Sequence, residues 1–207
     1  MIPSPSILLA SASPRRRELL AQIGVRCEVR PADVDETLRP GETPASYVGR
    51  VAAAKAEAVW ALAAGEVVLA ADTTVVLGTE LFGKPGDQTE GLRMLRALSG
   101  RTHEVLTAVV VRSGDGLAAA LSVSEVTMRA LNEDECQRYW ASGEPLGKAG
   151  GYAIQGLAAT FITRLAGSYS GVMGLPLAET ASLLEGAGVS VWGGERSPIR
   201  ELREVLA

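Results

Sequence analysis

Apolar and polar positions along this chain fall into blocks whose period switches between that of a strand and that of a helix. Residues 6–11 form an apolar run of strand length that ends in small hydroxyl residues, and Pro14 then opens a helix over 14–23 that Gly24 ends. Residues 26–30 predict a second strand, followed by an acidic loop over 31–44 marked by Pro and Gly. Tyr47, Val48, Val51, Ala52, Val59 and Leu62 recur at helical spacing and predict a long helix over about 45–64. Val67 to Leu77 is almost continuously apolar, which predicts a central strand covered on both faces. Leu92, Leu95 and Leu98 give one face to a helix over 87–98, and Val105–Val111 and Leu117–Leu131 predict two strands around Ser113-Gly114-Asp115-Gly116. A helix over 133–141, a glycine-rich stretch over 143–156, a strand over 161–165 and a helix over 175–185 follow. Gly193-Gly194 and Ser197-Pro198 mark a less regular tail, and the charged run 199–204 reads as a solvated helix face. This succession predicts an α/β fold with some antiparallel pairing, one sheet bridging two lobes of a single domain over residues 1–207.

Composition narrows the function classes. Hydrophobic residues are 47% and charged residues 21%, a globular balance. Aromatics are only 4%, so the core rests on aliphatic packing and a base-stacking platform is disfavoured. Net charge is −4, which argues against a nucleic-acid partner unless the basic residues are segregated. No apolar run approaches the roughly 20 residues of a membrane span, and residues 1–12 carry no basic segment of a secretory leader. Cys27 and Cys136 lie far apart and outside metal-ligand spacing, so both are expected as buried, reduced thiols in a cytoplasmic protein. His103 is the only histidine, which rules out a multi-histidine metal site and points to a structural residue at the start of a strand.

Three polar clusters interrupt the apolar pattern. In Ser11-Ala12-Ser13-Pro14-Arg15-Arg16-Arg17, arginines crowd the start of a helix, where the dipole disfavours cations by roughly 0.3–1 kcal/mol each. A bound anion, phosphate above all, would offset that; a solvated basic turn is the plainer alternative. In Ala70-Ala71-Asp72-Thr73-Thr74, a carboxylate sits inside a strand that should be buried, so it must be paired, metal-bound or at a cleft edge. A general base, a divalent-cation ligand and a backbone-bonded aspartate all remain open. Lys84 follows in a loop tightened by Gly83 and Pro85, where it is either aimed or simply on the surface. In Lys148-Ala149-Gly150-Gly151-Tyr152-Ala153-Ile154-Gln155-Gly156, small residues allow close backbone approach and Gln155 offers a donor and an acceptor to a base edge. Neither a dinucleotide-binding fingerprint nor a P-loop is present.

Together these segments resemble the Maf family of nucleoside triphosphate pyrophosphatases, once linked to septum formation. The resemblance runs in order over about residues 7–185: Leu9-Ala-Ser-Ala-Ser-Pro-Arg-Arg, Ala71-Asp-Thr, Gly83-Lys-Pro, Leu98-Ser-Gly, Lys148-Ala-Gly, Ile154-Gln-Gly, Gly167-Ser-Tyr and Gly174-Leu-Pro-Leu. It implies an elongated mixed sheet flanked by helices, two lobes with a central cleft as in inosine triphosphatases, and Mg²⁺- or Mn²⁺-dependent cleavage of a nucleoside triphosphate to monophosphate and pyrophosphate. It implies Asp72 as the proton acceptor, Ser11, Ser13, Arg15, Arg16, Lys55 and Lys84 as the phosphate-holding set, and Arg15, Thr73 and Gln155 as the residues that set base preference. Asp72 is a candidate metal ligand, and Asp35 and Glu36 in the acidic loop are either further ligands, Glu36 above all, or solvated loop acids. The Ala71-Asp-Thr and Ile154-Gln-Gly signatures resemble the dTTP/UTP branch, a house-cleaning activity that extends to modified pyrimidine nucleotides, and analogy implies a homodimer. The chain departs from the family pattern at Gly147, where relatives carry an acid with Glu144 here the nearest substitute, and at Gly171, where Asn is common. A non-hydrolysing nucleotide-binding regulator of cell division is the alternative reading.

Overall fold

A computed structural model describes residues 7–192, so residues 1–6 and the tail segments 193–194, 197–198 and 199–204 lie outside the described residues. Seven strands form one sheet: β1 (Ile7–Leu9), β2 (Cys27–Val29), β3 (Val68–Leu77), β4 (Glu80–Phe82), β5 (Thr102–Ser113), β6 (Gly116–Met128) and β7 (Ile162–Ala166). The order is β2-β1-β3-β5-β6-β7, with β4 on the end of β3. β1 is parallel to β2 and β3, and the remaining pairs are antiparallel, so the sheet is mixed as expected. The helices are α1 (Pro14–Gln22), α2 (Pro44–Trp60), α3 (Gln88–Leu98), α4 (Glu133–Ala141), α5 (Tyr169–Val172) and α6 (Leu177–Gly186).

The longer predicted elements are present, with shifted ends. α2 stops at Trp60, and Leu62, expected on its apolar face, is 81% exposed beyond the last turn. β6 ends at Met128 because the chain leaves the ladder: Leu131 donates its N–H to Ser99 Oγ instead (2.7 Å). Cys136 is buried, but Cys27 is only half-buried, since β2 is an edge strand of the sheet; both thiols are free.

Strand β3 organises the core. Its even-numbered residues face α2, where Val68, Ala70 and Val76 join Val48, Ala52, Ala56 and Val59 in one apolar cluster. Its odd-numbered residues face the other way and serve two clusters: Leu69 and Ala71 pack with α1 and α6, while Val75 packs with α3 and α4. Strand β5 repeats the division, with Val109 and Val111 in the first cluster and Val105 in the second. Between the two, Thr73 on β3 stands opposite Thr107 on β5, and Thr107 opposite Ser122 on β6. A seam of hydroxyls thus crosses three strands and separates two dry cores.

On its other edge, β3 is paired by β1 only at Val68 and Leu69 and by β4 only from Val75 to Leu77. Residues 70–74 have no strand neighbour there. Asp72 and Thr73 occupy that gap.

Candidate active site

The gap opens into a cleft of about 610 Å³, within the size range of small-molecule sites. It lies beyond the carboxyl end of β1, where parallel strands leave room for ligands. Ser11, Ser13, Arg15, Arg16, Glu36, Lys55, Asp72, Thr73, Lys84 and Gln155 line it. Asp35 does not: its side chain accepts from the N–H of Thr37 (2.9 Å) in a local turn, exposed to solvent.

On the α2 side of β3 the arrangement is ionic. Lys55 Nζ, buried on α2, donates to Asp72 Oδ1 and lies against Glu36 Oε1, both at 2.7 Å. Burial raises the Asp72 carboxyl above its usual range, a push that the attraction of Lys55 and Arg16 only partly offsets. Burial acts on Glu36 in the same sense, but there Lys55, Lys84 and Arg16 prevail and hold it below its usual range. Asp72 Oδ2 has no hydrogen-bond partner among the described residues.

On the opposite side the arrangement is neutral apart from one guanidinium. Arg16 donates from Nε to the Gly174 carbonyl (2.8 Å), from Nη1 to Ser11 Oγ (2.9 Å) and from Nη2 to Thr73 Oγ1 (3.2 Å). No carboxylate lies within ion-pair distance of Arg16 among the described residues, and burial lowers its pKa. Two of its five N–H groups remain for a ligand. The start of α1 is also open: Ser13 is the N-cap, its hydroxyl makes no capping bond, and no acid occupies the first turn. Arg17 points to solvent, outside the cleft.

The glycine-rich stretch forms the remaining wall, and sequence reading missed what holds it. Glu144 does not line the cleft in place of the acid that relatives carry beside Lys148. Its carboxylate accepts from the N–H groups of Leu157 (2.9 Å) and Ala158 (3.2 Å) and from the Tyr139 hydroxyl (2.8 Å). The same hydroxyl accepts from the Ala153 N–H at 3.0 Å, so Gln155 is clamped on both flanks. Gly156 leaves room for this brace: a Cβ there would lie 2.2 Å from Glu144 Oε2, so a larger residue would have to push the carboxylate off its donors. Gly147 has φ +69° with open space around it, so an acidic side chain there meets backbone strain rather than a clash. Lys148 lines the cleft with its ammonium tied to the Glu144 carbonyl (2.5 Å). His103 is structural, as expected: 2% exposed, its Nε2 shares a hydrogen with the Tyr152 hydroxyl at 2.8 Å, and burial lowers its pKa to about 4.

In sum of charge, the cleft wall carries five cations, Arg15, Arg16, Lys55, Lys84 and Lys148, against two carboxylates, Glu36 and Asp72. In a chain of net charge −4 this is a focused anion site.

The family described as Maf-like protein matches residues 6–187. A dTTP/UTP pyrophosphatase of Cereibacter sphaeroides is 56% identical over 190 residues, covering 90% of this chain and 97% of that protein. One from Cupriavidus pinatubonensis is 56% identical over 194 residues, covering 87% and 96%. One from Hahella chejuensis is 49% identical over 189 residues, covering 90% and 94%.

Proposed function

This chain belongs to the Maf family, and we propose that it hydrolyses dTTP and UTP to the monophosphate and pyrophosphate. The observation that carries the reading is a buried carboxylate, Asp72, set in the sheet gap among five cations. A triphosphate brings about four negative charges, and cleavage adds charge at the leaving pyrophosphate; cationic side chains preorganised around it lower the barrier.

In this reading Ser11, Ser13 and the open N–H groups of α1 hold terminal phosphate oxygens, with Arg15, Arg16, Lys55 and Lys84 around the chain. Water attacks the α-phosphorus, the bond from that phosphorus to the α–β bridging oxygen breaks, and pyrophosphate leaves. Asp72 takes the proton of that water on Oδ2 while Lys55 holds Oδ1 and fixes the carboxylate plane. Its raised pKa makes it a better base than an exposed aspartate. Arg15, Thr73 and Gln155 face the nucleobase.

A divalent cation, Mg²⁺ or Mn²⁺, belongs to the same proposal. The described residues contain no group of three or more His, Cys, Asp or Glu that could cage a metal. Asp72 and Glu36, drawn to one ammonium, do fit a cation that takes one or two carboxylates and completes its shell with phosphate oxygens and water. When bound, it would neutralise phosphate charge. No described helix is long and apolar enough to cross a membrane. A cytoplasmic location is part of the proposal, supported by the two free thiols. Homodimer formation is part of the proposal, supported by the exposed Leu117, Leu121 and Val123 on β6.

The test is a nucleotide panel with pyrophosphate detection at several divalent metals. Release from dTTP and UTP is expected; tight nucleotide binding without product under any metal would favour a non-hydrolysing regulator instead.

A further inference from the structure

The hydroxyl seam has a direction. Thr107 has one hydroxyl hydrogen, and it goes to the Gly171 carbonyl at 2.8 Å. The 3.0 Å bond between the Thr107 and Thr73 hydroxyls must then use the hydrogen of Thr73. Arg16 Nη2, which can only donate, takes one lone pair of Thr73 Oγ1. Thr73 therefore has no hydrogen left for a ligand and one lone pair still to offer. Gln155 lacks this polarity. Its side chain is exposed and has no hydrogen-bond partner among the described residues, so its amide can turn either edge toward a base.

We propose that Thr107 is a positioning residue that fixes the Thr73 hydroxyl as a hydrogen-bond acceptor, so that the cleft takes pyrimidines with a hydrogen on N3, uracil and thymine, over cytosine. Uracil and thymine present an N3–H donor to that lone pair. Cytosine presents an N3 lone pair, and two acceptors left facing each other forfeit the bond on both sides. The inference rests on the reading that Thr73 faces the base.

Thr107→Val tests it with little collateral change. The shape is kept, and the Gly171 carbonyl still accepts from the Gly174 N–H at 2.9 Å. The Thr73 hydrogen is released and can turn toward cytosine N3. Pyrophosphate release from UTP and CTP is measured for the parent, Thr107→Val, Thr107→Ser and Thr73→Val, with a thermal melt of each. The UTP:CTP ratio of kcat/KM should fall about tenfold in Thr107→Val, through a higher KM for UTP and a gain on CTP. Thr107→Ser, which keeps the hydroxyl, should restore it. An unchanged ratio in Thr107→Val, or an equal loss on both substrates, overturns the proposal. If the ratio collapses in Thr73→Val but not in Thr107→Val, the relay alone is wrong. If Thr73→Val leaves the ratio untouched, Thr73 does not face the base, and both ideas fall together.

Discussion

The two faces of β3 solve opposite problems within one turn of the pleat. Asp72 points toward α2 into a cluster of full charges, where Lys55 answers two carboxylates at 2.7 Å each. Thr73, the next residue, points the other way into a chain of neutral hydroxyls and carbonyls that ends on one guanidinium. Charge suits the face that has to move a proton, because small shifts in the surroundings retune a carboxylate. Fixed dipoles suit the face that has to recognise, because hydroxyls in series have only one way to point. Adjacent residues can serve both purposes at one ligand because β3 lacks a strand neighbour over 70–74.

The sharpest way to break this contrast is Asp72→Asn. Turnover should fall at least about 10³-fold while nucleotide affinity, read by calorimetry, stays within tenfold. A variant that keeps more than a tenth of parental turnover would remove Asp72 as the base. Next in size is Arg16→Lys, which keeps the charge but gives up the fork that reaches Ser11, Thr73 and Gly174 together. A loss of about 10²-fold in kcat/KM is expected, seen with both UTP and dTTP; parental kinetics would mean that charge alone matters on that side.

Lys55→Met probes the ionic face through pH. Burial already raises Asp72, and Lys55 is the main influence pulling it back down. Without Lys55 the carboxyl is protonated at higher pH, so the acid limb of kcat/KM should move upward, with about a tenfold loss at neutral pH. A limb that stays put or moves down would show that another group sets it. The smallest effect belongs to the neutral face. His103 shares that face of β5 with Thr107, and its folded pKa of about 4 lies below the unfolded value near 6.5. Between these values the unfolded chain binds the extra proton, so its contribution to stability is intact above about pH 6.5 and is lost as pH falls toward about 4. Thermal melts over that range should show a steeper acid decline in the parent than in His103→Gln. Parallel curves would mean that His103 is not the neutral, buried group described.

Much of this arrangement is legible in the chain before folding. The nearly unbroken apolar run 67–77 marks a central strand, and a polar triplet in such a strand marks a place where burial is broken. What stays hidden is whatever depends on distant partners. Lys55 looks like any helix lysine until α2 lies over β3 and turns it onto Asp72, 17 positions away. Thr107 sits in a β-branched run that would be the same with valine, and only the carbonyl of Gly171, 64 positions on, gives its hydroxyl a purpose. Short pieces such as β4 and α5 also leave no trace, since three or four residues carry no period. Glu144 is hidden in the same way: it lies three positions before Gly147 in the chain, and only the three donors that folding brings to its carboxylate make it a brace.

The seam across β3, β5 and β6 also shapes how the molecule gives under load. Apolar clusters resist deformation because interdigitated side chains have nowhere to go, whereas the single hydroxyl bond between Thr73 and Thr107 can tilt and re-form. Bending is thus expected to concentrate along the Thr73–Thr107–Ser122 line. The inner end of that line is Arg16, which a bound anion would grip. Filling the cleft should then act as a splint, slowing amide exchange in α3 and α6 together although neither helix touches the ligand.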